Sequence, residues 1–181
     1  MVATDPLTLL LDEARAADTS ATRARERSLV RQAEEGATFR GTLLDLAEQQ
    51  AQVTVRTTAG RVSRGALLAV GTDFAALRAD DRGAVCVRLG AVASVRIQAG
   101  FRQEGAAGDR SSPLDLLLVD VLARLVQDRA RVGLVSGADV VSGVLRTVGA
   151  DVVTLRLDGE PPGTCYLAAA AIDAVVIGPG P

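Results

Sequence analysis

Every basic side chain in this chain is an arginine: there are 20, with no lysine and no histidine. Arg56, Arg61, Arg64, Arg78 and Arg88 fall in or beside stretches that alternate like strands, so they can gather on one surface. A guanidinium presents a planar fork of donors matched to phosphate or carboxylate, and the five are candidates for contact with an anionic partner. Phosphate contacts of that kind would make binding strongly salt-dependent. Acid–base chemistry has far less to work with. Without histidine there is no imidazole base, no Ser-His or Cys-His nucleophile pair and no histidine-based metal site. Asp73 and Asp151 each lie two residues beyond a Val-Gly pair, where a carboxylate closes a tight turn through its side chain. Asp80-Asp81 and Glu34-Glu35 read as solvated neighbouring charges. Neither a phosphate-cradling glycine loop nor a metal-ligand cluster can be picked out. The expectation is a protein that is not an enzyme, with no cofactor, no metal and no small-molecule substrate.

The elements that must carry these residues come in two copies. Gly65-Ala-Leu-Leu-Ala-Val-Gly-Thr-Asp-Phe-Ala-Ala-Leu-Arg78 returns 78 positions later as Gly143-Val-Leu-Arg-Thr-Val-Gly-Ala-Asp-Val-Val-Thr-Leu-Arg156, without a gap. Around it the same order recurs. Phe39 to Ala47 suits a short amphipathic helix. Strands follow at Val53–Thr57, Arg61–Val70 with a bend near Gly65, Phe74–Arg78, Ala84–Leu89 and Ala93–Ile97. In the second copy Ser112-Pro113 caps a helix over Leu114–Asp128. Strands are expected at Val132–Ser136, Val140–Val148, Val152–Leu157, Cys165–Ala168 and Ala174–Ile177. The length differences between the copies fall in loops, as a structural repeat requires.

Before and between the copies the sequence changes character. Residues 1–36 read as a helical extension: Asp5-Pro6 starts one helix, and Ala21 to Glu35 forms a second that offers only Leu29 and Val30 as large apolar groups. That second helix is either solvated or a docking element. Residues 99–112 have the composition of a linker. The resulting division is 1–36 extension, 37–98 first β unit, 99–112 linker and 113–178 second β unit. Leu7 to Leu11 is short and follows Asp5 rather than a basic region, unlike a signal peptide, and Tyr166 to Gly178 is too short to span a bilayer. Cys86 and Cys165 make no secreted disulfide framework and read as small core residues. A cytoplasmic protein with no membrane partner is expected.

A short helix, five bent strands, a glycine inside the second strand and a short turn into the third together resemble an Sm-like barrel. The family includes Sm and Sm-like proteins, the RNA chaperone Hfq and the C-terminal domain of a bacterial ribosome-maturation factor. The stretch Gly143 to Leu155 is especially similar to the last. As a whole the chain also resembles uncharacterised proteins of high-GC Gram-positive bacteria. The resemblance covers about residues 40–97 and 114–177, and SH3-like barrels share its pattern. It implies a mainly β (α+β) fold of two tandem Sm-like or SH3-like five-stranded barrels, each preceded by a helix, with the helical extension in front. It also implies RNA as a partner and head-to-tail association of strand edges. The family's RNA-binding residues match poorly, however. Where an Asn and a stacking aromatic are expected, the chain has Phe74-Ala75 and Val152-Val153. The usual Arg-Gly element has an echo in Val87-Arg88-Leu89-Gly90, whereas Leu167 to Ala170 has neither residue.

Charge divides the copies. Residues 37–100 hold eight Arg against five acids, and residues 113–181 five Arg against eight acids. Opposite signs suit docking of one unit on the other, within a chain or between chains, and equally suit an anionic partner for the first unit. The leading expectation is a non-enzymatic interaction or assembly protein whose partner is itself (a homo-oligomer) or another protein. The alternative is an RNA-binding or nucleic-acid-associated regulator using the Arg-rich face of the first barrel.

Overall fold

The computed structural model describes residues 22–32, 35–79, 83–98 and 114–178. The first expected helix and the 99–112 linker lie outside the described residues. The chain divides into two compact units, one of residues 1–42 and 103–109, the other of 43–102 and 110–181. In the first, residues 22–32 form helix α1, with Leu29 and Val30 exposed. Helix α2, Phe39–Glu48, is capped by its own Thr38, whose hydroxyl accepts the Gly41 N–H at 3.0 Å.

The second unit is built on strands whose alternation the sequence announces. They are β1 (Gln52–Thr57), β2 (Val62–Val70), β3 (Phe74–Ala79), β4 (Gly83–Arg88) and β5 (Val92–Ile97), then helix α3 (Leu118–Gln127). The second set is β6 (Arg131–Ser136), β7 (Asp139–Val148), β8 (Val152–Leu157), β9 (Thr164–Ala168) and β10 (Ala174–Ile177). Both copies therefore contain five strands, and the fold is mainly β with helices. The duplication is finer than the sequence suggests. The registers of β2 on β3 and of β7 on β8 both shift at the equivalent place, between Leu67 and Ala69 and between Leu145 and Thr147. Each is a bulge three residues past the repeated glycine, where extra twist bends the strand.

The two expected five-stranded units are joined edge to edge rather than forming separate sheets. All ten strands join one antiparallel sheet in the order β5-β1-β2-β3-β4-β10-β6-β7-β8-β9. In neither copy does the fourth strand pair with the fifth. Instead β4 of the first copy pairs with β10, the fifth strand of the second, at Ala174↔Val87, Val175↔Cys86, Val176↔Val85 and Ile177↔Ala84. A strand edge left open in one repeat is closed by the other, because backbone donors and acceptors on a buried edge need partners.

Because β4 and β10 alternate, each serves two cores. Val85 and Val87 join the first core with Leu43, Leu46, Leu67 and Leu77, and that core also takes Val135 and Ala174 from the second copy. Cys86 faces the other way, into a second core of Leu118, Leu122, Leu134, Leu145, Leu155, Ile172 and Val175, together with Phe74 from the first copy. Neither copy is complete alone.

A correction concerns α3. The sequence reading starts that helix at Leu114 behind a Ser112-Pro113 cap, but the helix begins at Leu118. Residues 114–117 are not helical, Leu117 has an extended backbone, and the Leu116 carbonyl accepts the Thr72 N–H at 2.8 Å. Backbone pairing to the first copy holds this segment out of helical geometry.

The repeated glycine marks a close approach of backbones. A Cβ on Gly65 would lie 2.0 Å from the Arg78 carbonyl oxygen, and one on Gly143 2.4 Å from that of Arg156. Gly65 also has φ +155°. Gly65→Ala or Gly143→Ala should therefore cost about 3 kcal/mol or more in equilibrium denaturation, since two hydrogen-bonded strands must separate. At Gly60, a φ of +83° with open space around it, alanine should cost only about 1 kcal/mol.

Candidate interaction surfaces

The junction between the copies is fastened by side chains that sequence reasoning had assigned elsewhere. Arg88, at the end of β4, donates from Nη1 to Asp73 Oδ2 at 2.6 Å, from Nε to the Ile172 carbonyl at 2.9 Å and from Nη2 to the Ala169 carbonyl at 3.0 Å. Its backbone N–H donates to the Asp173 carbonyl at 2.7 Å. The guanidinium is thus spent inside the molecule, with one carboxylate and two carbonyls as its partners. Arg61 likewise donates to the carbonyls of Gly137 and Ala138, across the junction at the β6–β7 turn.

Asp73 does not close its own turn with its side chain; the Gly71 N–H to Phe74 carbonyl bond, 2.8 Å, does that. Its second carboxylate oxygen accepts the Leu118 N–H at 2.6 Å. Leu117, the residue preceding α3, has no side-chain acceptor, so a carboxylate from the first copy caps the helix of the second. Negative charge at a helix N-terminus is favourable there. Asp151 occupies the matching turn in the second copy, closed by Gly149 N–H to the Val152 carbonyl at 2.8 Å, and its side chain is exposed.

The remaining candidates, Arg56, Arg64 and Arg78, are exposed on one face of the first copy's strands. Thr54 pairs with Arg64 on β2 and with Arg96 on β5, so Arg64 and Arg96 flank it in one cross-strand row. Arg56 lies two residues along β1 on the same face, and Arg78 pairs with Ala66, one step beyond Arg64. Arg96 was not among the sequence candidates, because nothing local tells which strand β5 joins. An open hollow of about 250 Å³ beside Arg64 is lined by Gln52, Thr54 and Gln98. In the second copy the same face is different: Arg56, Arg64 and Arg96 correspond to Val135, Ser142 and Val176. Phe74 is buried and offers no stacking surface.

Between the copies a groove lined by Thr57, Val62, Val85, Val135, Val140 and Val176 holds about 80 Å³. Small-molecule sites run to roughly 300 Å³ and more, so it is too small for one. Among the described residues no group of three or more Cys, Asp or Glu side chains is placed to hold a metal ion, and no helix is long and apolar enough to cross a membrane.

The two thiols differ. Burial pushes the Cys86 thiol up to about 11, whereas Cys165 on β9 is half-buried; neither forms a disulfide. Cys165 should react with a thiol reagent at neutral pH in the native protein and Cys86 only after denaturation. A raised folded-state value means that the Cys86 contribution to stability is fully present below the ordinary thiol range. It should be lost as pH rises toward 11, which denaturation midpoints measured across that window would reveal. Asp73→Ala removes both the cap and the guanidinium's partner, and should cost about 2–4 kcal/mol by denaturant titration. Arg88→Lys should not rescue the junction as a mutant of Arg88, since a single ammonium cannot reproduce the fork. Compared with models of known protein families and with curated proteins, the chain matches none.

Proposed function

We propose that this chain is a non-enzymatic assembly protein made of two Sm-like units, acting in the cytoplasm, and that its working surfaces are the strand edges and faces at the two ends of its sheet. One observation carries the reading: two copies of one unit are already joined edge to edge through β4 and β10, while among the described residues β5 and β9 each have a neighbour on only one side. An edge strand with free N–H and C=O groups is a template for another chain. The β9 end also displays Val152 and Tyr166, apolar groups on the surface rather than in a core. The thinness of catalytic chemistry in the sequence agrees with a binding role.

A second reading is favoured by the row formed by Arg56, Arg64, Arg78 and Arg96: contact with RNA or another anionic polymer on the first copy's outer face. Four guanidinium groups on neighbouring strands, with Arg64 and Arg96 about 10 Å apart across Thr54, match repeated phosphates. Aromatic stacking groups are scarce, at 2% of residues, so such binding would be electrostatic and indifferent to sequence.

Two measurements separate these readings. A photo-reactive residue at position 166 should cross-link the chain to protein in its native cells, and the same probe at Ala59, in the exposed β1–β2 turn, should not. No protein adduct at 166 would overturn the assembly reading. Fluorescence anisotropy with short RNA and DNA at two salt concentrations tests the other. Binding at low salt that weakens on raising salt, and is reduced about tenfold by Arg64→Ser with Arg96→Ser, would establish it.

A further inference from the structure

The seam between the copies leaves one gap unfilled. An apolar cavity of roughly 150 Å³ holds a benzene ring; the groove between the copies, about 80 Å³, has room for one branched aliphatic side chain. Its apolar walls are Val62 and Val85 from the first copy and Val135, Val140 and Val176 from the second. Val62 and Val140 are counterparts, each three residues before the repeated glycine. They are 44% and 43% exposed, so the two copies set a matched pair of valines at the rim.

The space exists because side chains that would fill it are missing. On the corresponding face of the first copy stand Thr54, Arg56 and Arg96; the second copy has Gly133, Val135 and Val176. Backbone geometry does not demand this glycine. A Cβ on Gly133 would meet Ser142 Oγ, Val176 Cβ and Val140 Cγ1 at 3.5, 3.6 and 3.7 Å, which is ordinary van der Waals contact. A seam built only for tight packing would fill the gap, since the lining of a void forfeits contacts.

One side of the groove is polar, and its polar groups have capacity to spare. Arg61 donates from Nε and Nη2 to the neutral carbonyls of Gly137 and Ala138. Among the described residues its Nη1 has no partner, and no carboxylate pairs with the guanidinium. Thr57, 6% exposed, accepts the Arg61 N–H at 3.1 Å, and among the described residues its own O–H finds no acceptor. The half-buried Ser63 in the same wall likewise has a hydroxyl without a partner among the described residues.

We propose that this groove binds the C-terminal residue of a partner protein whose chain ends in Val, Leu or Ile. The aliphatic side chain enters between the valines. Its α-carboxylate accepts from Arg61 Nη1 and the Thr57 hydroxyl, and its N–H donates to Ser63. Room for one side chain beside one uncompensated cation fits the kind of residue that carries both an aliphatic group and an anion. An internal leucine brings no charge, and an acidic side chain brings no branched hydrocarbon. A carboxylate also gives the guanidinium a charge-assisted bond that carbonyls cannot, and capture of chain ends by convergent donors is a general mode of peptide recognition. The site lies in the middle of the sheet, at β4, β10 and β6, away from the β5 and β9 ends. It is therefore independent of the assembly reading.

Fluorescence anisotropy of the full chain with a labelled peptide, Gly-Ser-Gly-Ser-Leu with a free C-terminus, tests the assignment. Binding should saturate, and the C-terminal amide and the same peptide ending in Gly should each bind about tenfold more weakly or worse. Gly133→Val fills the groove and should weaken binding about tenfold or more with the circular dichroism spectrum unchanged. Gly133→Ala, which meets only ordinary contacts, should weaken it about threefold and serves if valine perturbs folding. Arg61→Gln should erase the difference between acid and amide peptides, and Arg61→Lys should keep part of it. Because Arg61 also joins the copies, its variants are compared by that acid-to-amide ratio, which a general loosening of the seam does not change. Equal affinity for acid and amide, unchanged binding in both Gly133 variants, or no binding up to millimolar peptide overturns the proposal. Displacement of the peptide by an equal concentration of octanoate would make the ligand a free aliphatic acid and overturn the chain-end partner.

Discussion

The pairing of β4 with β10 is the constraint on which the rest of this molecule depends. A fourth strand that finds no fifth strand in its own repeat must take one from the other, and everything near that seam follows. Alternation along β4 sends Val85 and Val87 to one core and Cys86 to the other, so the seam is also where two hydrophobic cores interlock. The cap of α3, the carbonyls beyond β9 and the β6–β7 turn are each satisfied by a residue of the first copy: Asp73, Arg88 and Arg61. A surface ion pair would contribute little. Asp73 and Arg88 matter because their remaining bonds go to backbone groups of the second copy, the Leu118 N–H and the Ile172 and Ala169 carbonyls, and leaving a buried backbone group unsatisfied costs more than the strength of any one bond.

Much of this could be read from residues. Strand alternation, the repeated Gly-Leu-Val-Gly-Asp-Leu-Arg pattern and loop-confined length changes place all ten strands to within a few residues. The glycine inside β2 does sit at a close backbone approach. The bulge after it was not visible, because Leu68 and Arg146 carry no mark that distinguishes an extra residue from an ordinary strand position. The start of α3 was misplaced for a related reason. Ser112-Pro113 is a good local signal, but the Leu116 carbonyl is held by Thr72, more than forty residues away in sequence, and local propensity cannot anticipate it.

Site residues divided along the same line. Arg56, Arg64 and Arg78 are outward positions of strands, which alternation can locate. Arg88 has the same periodicity, yet it sits at the seam and is consumed there; only a knowledge of which edge meets which could separate it from the others. Arg96 was passed over because its significance comes from lying across Thr54 from Arg64, a relation between three strands. What one-dimensional patterns convey is the facing of a side chain. Which neighbour shares that face depends on the sheet order, and here the order crosses from one repeat to the other.

Carrying both repeats on one polypeptide has a consequence for how the seam can change. In an assembly of identical single units, every substitution appears at both partners of every contact. Here the two copies are read from different codons, so Arg88 can be kept in one and become Ala168 in the other, or Arg56 can face Val135, without altering the matching position. Tethering also holds the partners at an effective concentration on the order of millimolar, whatever the abundance of the protein. The tight contact is therefore insulated from expression level and free to specialise.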